Sequence, residues 1–331
     1  MQLTQKKSRR GDLLTAAAVA MLLAVMAALL YTGSLTRQVT NMLIPTAVYI
    51  VMAVSLNLVV GLLGELSLGH AGFMSVGLFS GCLVAIALTN TALPLMVRLP
   101  VSMLAGGLTA AVFGLLVGLP TLRLRGDYLA IVTLACGEII KNIITNLRVT
   151  GGALGLNTTA IYAGAKELLP YGAALVLLTV AVMLNLKRSK YGRAIMAIRD
   201  NRIAAESVGL SVTRYKLAVF VIAAFFAGCA GVLYGHSLAN IKAAAFDYNM
   251  SIEILVIVVL GGMGSVPGSV VSAIVLTVLP EALREVADYR MLVYAVVLIL
   301  VMQATNNPAM KRFFSAACKS LTPKRKERAA L

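Results

Sequence analysis

The sequence predicts an all-α integral membrane protein: a polytopic bundle of about ten transmembrane helices, eight at the fewest, with some short, glycine-broken or re-entrant. Three observations predict it. The 331-residue chain is 60% hydrophobic and only 13% charged, where soluble domains run at about half and a quarter. Its mean hydropathy is +0.90. Its apolar residues also gather in runs close to the roughly 20 that a helix needs to cross hydrocarbon.

The elements follow in order. Residues 1–12 form a basic amino-terminal segment with Lys6, Lys7, Arg9 and Arg10. The first apolar run, 13–31, is unbroken and exceeds the roughly 7–15 residues of a signal peptide, so it reads as a retained anchor. Further spans are expected at 42–62, 99–119, 128–147, 168–186 and 217–235, with a shorter one at 291–304. Two regions divide less cleanly: 66–88 starts in a glycine-rich stretch, and 251–283 is cut by the run GGMGSVPG at 261–268. The membrane domain is thus 13–306, followed by a basic tail at 307–331.

Basic residues set the orientation. There are 29 Lys and Arg against 13 Asp and Glu, a formal net charge of +16. An amino terminus in the cytoplasm places Lys6 to Arg10, Arg123, Arg125, the segment 187–216 and the tail inside, while outside segments hold only scattered cations such as Arg37, Arg98 and Lys242. Both termini are then cytoplasmic in a multi-pass chain. The positive excess is topological and suits anionic lipid head groups, so nucleic acid is not expected as a partner. Tyr31, Tyr128, Tyr171, Tyr191, Tyr215, Tyr234 and Tyr289 fall at or near proposed span ends, where an amphipathic ring prefers to lie.

Motifs for bond chemistry are missing from the sequence. It has no GxxxxGK[ST], HExxH, CxxC or GxSxG, so no cofactor or metal is expected on this chain. Its two histidines, His70 and His236, are single. A membrane enzyme would have to assemble its site from Glu138, Glu65 and His70, and their spacing does not require one.

Polar groups within apolar spans are more informative, because each persists in hydrocarbon only by facing protein or a wet cavity. Glu138 lies about halfway along its span, with Lys141, Asn142 and Thr145 on the same helical face. Two roles fit: an internal Glu138–Lys141 ion pair locking the helix to its neighbours, or one wall of a transport pathway. Asn57 suits an interhelical hydrogen bond. The glycine-rich stretches 61–77 and 261–268 suit helix breaks, whose freed backbone groups bind solutes in many transporters. Together they give pathway candidates Asn57, Glu65, His70, Gly72, Glu138, Lys141, Asn142, Gly262 and Gly264. Gly77 with Gly81, Gly114 with Gly118, and Gly231 with Gly235 have small-xxx-small spacing and suit plain helix packing. Both breaks fall on the cytoplasmic side of this topology, whereas an inverted repeat would separate them, so no repeat is assigned.

The segment 187–216 carries eight basic and two acidic residues. Ala194, Ile195, Ile198, Ile203, Ala204 and Val208 give partial helical periodicity, and Gly209 sits where a helix would end. Its small residues favour close protein docking over insertion among lipids, which takes larger anchors.

The stretch LPTLRLRGDYLAIVTLACGE at 119–138, continuing to Thr150-Gly151-Gly152, closely resembles the LivM-type permeases of bacterial branched-chain amino acid ABC importers. So do SKYGRAIMAIRDNRIAAESVGL and SIEILVIVVLGGMGSVPG, in the same order, and the similarity covers roughly Asn41 to Ala304. The resemblance implies an inner-membrane permease paired with a second, homologous permease as a heterodimer. It also implies two cytoplasmic ATPases holding ATP and Mg, and an external substrate-binding protein. Ala204, Ala205 and Gly209 resemble the EAA-type segment through which importer permeases engage their ATPases, with Ile203 in place of its glutamate and no Leu-Pro following. Arg193, Arg199, Asp200, Arg202, Ala204, Ala205, Glu206 and Gly209 are the docking candidates that this similarity implies. The expected substrate is a branched-chain aliphatic amino acid. Related permeases also serve urea or short amides, and a stand-alone carrier or a membrane enzyme are the other classes kept open.

Overall fold

Long apolar runs become long helices. The computed structural model describes residues 17–28, 30, 32, 36–90, 94–124, 126–282, 296 and 299. Its helices are α1 (Ala17–Ala28), α2 (Arg37–Asn57), α3 (His70–Thr89), α4 (Leu95–Thr121), α5 (Asp127–Asn146), α6 (Ala165–Arg188), α7 (Lys190–Asp200), α8 (Arg202–Ser207), α9 (Val212–His236), α10 (Tyr248–Gly261) and α11 (Val266–Ala282). A π-helical stretch, Leu58–Leu63, extends α2. Among the described residues seven helical segments are long and apolar enough to cross a membrane, and Ala17–Ala28 and Val266–Glu281 are shorter apolar helices. The chain is therefore a polytopic helical membrane protein. The expected span at 291–304 lies outside the described residues except for Val296 and Ile299, as do Tyr31, Tyr289 and the basic tail.

The chain divides into two units, Met1–Val278 and Leu279–Leu331. The first holds the bundle, and of the second only 279–282, Val296 and Ile299 are described.

Close contacts fix the helix directions. Phe73 meets Phe220 edge-on at 5.3 Å between ring centroids, Gly77 faces Gly228 and Gly81 faces Val232. Hence α3 and α9 run parallel, and α3 starts about two turns deep alongside α9. Against the same α9, Gly107 meets Phe225 and Cys229, Gly114 meets Ala224 and Gly118 meets Leu217; α4 is therefore antiparallel. The start of α6 packs through Gly172 on Ala47 of α2 and Leu233 near the end of α9, and Lys187 in its last turn reaches Gly264 beside the end of α2; α6 therefore runs parallel to α2 and antiparallel to α9. The hairpin of α10 and α11 is tied by Ser272 Oγ donating to Ile257 O at 2.7 Å.

The glycines predicted to pack do pack. At Gly228 an added Cβ would lie 2.6 Å from Gly106 O and 3.1 Å from Gly107 Cα, so α3, α4 and α9 approach backbone to backbone. In lipid, where tails are as apolar as leucine, that close packing rather than water exclusion holds helices together.

At the end of the bundle away from α7 and α8, two short strands, β1 (Leu156–Asn157) and β2 (Asn240–Ile241), pair antiparallel. Thr158 N donates to Ala239 O and Ala163 N to His236 O, both at 3.0 Å. These bonds tie the α5–α6 connection to the α9–α10 connection.

Because a side chain at Gly228 meets backbone, Gly228→Leu is expected to destabilise the bundle. Overpacking costs about 1–3 kcal/mol, a drop of several degrees in melting temperature for a chain of this size. Gly164→Ala, where the methyl meets nothing within 4 Å, should leave melting unchanged. Thermal denaturation of the detergent-solubilised protein compares the two.

Candidate functional site

The two glycine-rich breaks meet. Where α2 ends, the wider π turns carry Gly61 against Gly264, so closely that a Cβ on Gly61 would lie 2.6 Å from Gly264 Cα. Asn57, wholly buried, spans the junction. Its Nδ2 donates to Ser269 Oγ at 2.7 Å and to Ser265 O at 3.2 Å, and its Oδ1 accepts from Gly264 N at 2.7 Å. One amide thus satisfies Gly264 N and Ser265 O of the 262–265 turn, and the turn itself needs left-handed glycines, φ being 89° at Gly262 and 80° at Gly264. Both breaks lie at one end of the bundle, as the topology from charge implied, and the interhelical bond expected of Asn57 is present.

Beyond Gly64, the chain runs irregularly from 64 to 69 before α3 begins. This segment is threaded between α5 and α9. Glu65 forms an ion pair with Lys216 of α9, with side chains 14% and 7% exposed. Leu68 N donates to Thr133 Oγ1 of α5 at 3.0 Å. At the start of α3, His70 Nε2 and Ser55 Oγ share a hydrogen bond of 2.8 Å, and Ala71 N donates to Ser251 Oγ of α10 at 3.2 Å. Three buried oxygens here, Glu65 Oε2, Ser67 Oγ and Ser75 Oγ, have no hydrogen-bond partner among the described residues. Gly72, by contrast, closes on Gly137, where a Cβ would lie 2.9 Å from its Cα. It is a packing contact between α3 and α5 rather than open space.

From the segment 187–216, two cations reach the junction: Lys187 in the last turn of α6 and Arg199 in α7. Arg199 Nη1 donates to Gly61 O at 3.0 Å and its stem packs against Gly64. Lys187 Nζ donates to Gly264 O at 3.0 Å. Each break therefore presents a carbonyl to a positive group on this segment.

The segment is two helices, not the one that its periodicity suggested. Asn201 separates them: its backbone leaves the helical region at φ −154°, and its Oδ1 caps α8 by accepting from Ala204 N. The rotation about Asn201 splits the expected apolar face. Ile195 and Ile198 are buried with Ala205 and Val212, whereas Ile203 and Val208 are 81% and 75% exposed. Of the docking candidates, Ala205 is buried, whereas Arg199 stays exposed while its Nη1 bonds Gly61 O. Arg202 pairs with Glu206, and Asp200 with Arg199. Arg193 donates back to Arg188 O, Ala204 is exposed, and Gly209, at φ 84°, ends α8 in open space.

Glu138 does form an ion pair with Lys141. Its Oε1 also accepts from Tyr248 N at 2.9 Å, docking the first turn of α10 on α5, while Asn142 is exposed. The locking role is the one with visible partners. Sequence reasoning missed Glu253 of α10, whose Oε2 accepts from Tyr49 Oη of α2 at 3.3 Å. No group of three His, Cys, Asp or Glu side chains among the described residues is placed to hold a metal.

Long helices, two broken segments joined through a buried amide, and a basic segment bonded to both breaks define a multi-spanning membrane protein of the transporter class. Residues 38–302 match the family described as branched-chain amino acid transport system / permease component, and the chain belongs to that family. It is 36% identical over 296 residues to the high-affinity branched-chain amino acid transport system permease protein LivM of Salmonella typhimurium. To LivM of Escherichia coli it is 37% identical over 290 residues. Each match covers 78% of this chain and 66% of the relative's own length. To the permease protein LivH of Salmonella typhimurium it is 31% identical over 126 residues, 37% of this chain and 40% of that one. No solved structure matches.

The buried Glu65–Lys216 pair makes a sharp expectation. Removing one partner strands a buried charge, which costs about 3–5 kcal/mol, whereas replacing both is often close to neutral. Lys216→Met should therefore abolish folded protein, and Lys216→Met with Glu65→Leu should restore most of it. Monodispersity after detergent extraction measures both.

Proposed function

We propose that this chain is one permease subunit of an ABC importer that carries branched-chain aliphatic amino acids across the bacterial inner membrane. Both termini face the cytoplasm. A second, homologous permease completes the pore, two cytoplasmic ATPases holding ATP and Mg supply the driving force, and an external binding protein delivers substrate. The extent of the family match and the names of the LivM relatives support this, and partial similarity to LivH supports a partner of the same kind. Without a phosphate-binding motif in the sequence, hydrolysis belongs to other subunits. Urea and short amides are weaker candidates, since the LivM relatives are named for branched-chain amino acids.

The observation that carries the mechanism is the bonding of Arg199 of α7 to Gly61 O and of Lys187, in the last turn of α6, to Gly264 O. In this reading α8 docks on an ATPase through Ile203 and Ala204 and the Val208 that follows it, exposed apolar residues. Arg199 and Lys187 then act as positioning residues: movement of the docked segment pulls on Gly61 O and Gly264 O and shifts α2 against the α10–α11 hairpin. Such a coupling works by contacts that differ between two arrangements of the bundle, not by distance alone.

Uptake of labelled leucine, isoleucine, valine and urea by the assembled importer in proteoliposomes tests the function. ATP-dependent accumulation of the three aliphatic amino acids is expected. Uphill transport by this chain alone, or accumulation of urea in their place, would overturn it. Two variants test the mechanism. Ile203→Asp with Val208→Asp should reduce ATPase co-purification at least tenfold. Arg199→Ala should leave co-purification within twofold and lower uptake at least tenfold, and unchanged uptake would remove Arg199 from the coupling route.

A further inference from the structure

The described bundle contains three carboxylates at depth in or between its spans, and two are neutralised from within. Glu65 pairs with Lys216, and Glu138 pairs with Lys141 while accepting from Tyr248 N. Glu253 differs. It stands in the second turn of α10, in the run SIEILVIVVL, and among the described residues no Lys, Arg or His forms an ion pair with it. Its contact is with the phenol of Tyr49 on α2, at 3.3 Å. A phenol hydrogen bond of that length does not balance a full charge, which costs several kcal/mol to hold in hydrocarbon without a partner.

Position matters as much as charge. Glu253 is close enough to Tyr234 of α9 for the two to interact electrostatically. Tyr234 is fixed in turn by Phe246, with ring centroids 6.5 Å apart and the planes at 88°. Glu253, Tyr49 and Tyr234 come from three helices and are each only partly covered, so together they border a partly open surface. That surface lies in the half of the bundle away from α7 and α8, roughly 12 Å along α10 from the break at Gly261. A partly covered carboxylate with no cationic partner among the described residues suits a cationic group that comes and goes.

We propose that Glu253, oriented by Tyr49, is a recognition site for the primary ammonium of the transported amino acid on its way from the binding protein to the helix breaks. This rests on the function proposed above. The ammonium supplies the charge that α10 lacks, and Tyr49 keeps the carboxylate from swinging to a competing donor. Tyr49 is therefore a positioning residue, while Glu253 touches the substrate.

Two measurements on the assembled importer in proteoliposomes test the site. In the wild type, dicyclohexylcarbodiimide, which modifies carboxyl groups in apolar surroundings, should label Glu253. Saturating leucine should slow that labelling at least fivefold, whereas 4-methylpentanoate, which keeps the carboxylate and the aliphatic chain but lacks the ammonium, should not. Glu253→Gln, which retains an acceptor for Tyr49, should lower leucine uptake at least tenfold with melting temperature and ATPase co-purification unchanged. Glu253→Asp should recover part of the uptake. Labelling indifferent to leucine would overturn the proposal, as would labelling slowed equally by 4-methylpentanoate, or Gln-variant uptake within twofold of wild type. Glu253 that resists labelling in the full assembly but is labelled once the second permease is removed would mark it as an interface residue, and would also overturn it. Should the wild type itself fail to accumulate leucine, the importer function falls instead, which separates the two failures.

Discussion

In hydrocarbon a backbone group freed from its helix has no water to turn to, so a broken helix survives only where protein supplies the missing bond. Asn57 supplies it here. A single carboxamide accepts from Gly264 N and donates to Ser265 O and Ser269 Oγ, and with those bonds made the 262–265 turn can sit against the end of α2. Gly61 permits the approach because anything larger would strike Gly264. The same demand explains the irregular segment after Gly64, which is held by Thr133 and the Lys216–Glu65 pair instead of by helical bonds.

Once the junction is held from within, Arg199 of α7 and Lys187 of α6 become a second layer of control and not a structural necessity. Gly61 O and Gly264 O lie at the margin of the bundle, where Arg199 and Lys187 reach them. Charged donors make stronger hydrogen bonds than neutral ones, so a small displacement of the corner between α6 and α7 changes the energy of both contacts together. The two breaks thereby answer to one segment.

Much of this was legible in the sequence. Span positions followed from run length, and the tight α3–α4–α9 packing followed from glycine spacing. Asn57 stood out as a polar group in an apolar run. Its partners did not, because Ser265 and Ser269 are 208 and 212 residues away and nothing local encodes such a pairing. In the segment 187–216, apolar periodicity suggested one helix because a single asparagine leaves the pattern almost intact. The signal lay in Asn201 as a residue type that caps helices. Glu253 escaped notice because the expected span began at 251, which made the carboxylate look terminal. In fact α10 starts at Tyr248, capped by Asp247, and that earlier start carries Glu253 into the bundle.

The β1–β2 pairing at the far end bears on how such a molecule can change shape. Four residues in register, with Thr158 and Ala163 bonded alongside, fasten the loop before α6 to the loop after α9. A bundle pinned at one end cannot widen evenly along its length. Displacement is smallest at the strap and grows with distance from it, so the strap serves as a fulcrum and the opposite end has the greatest leverage. The longest lever arm then falls at the end where α6 and α7 meet the two breaks.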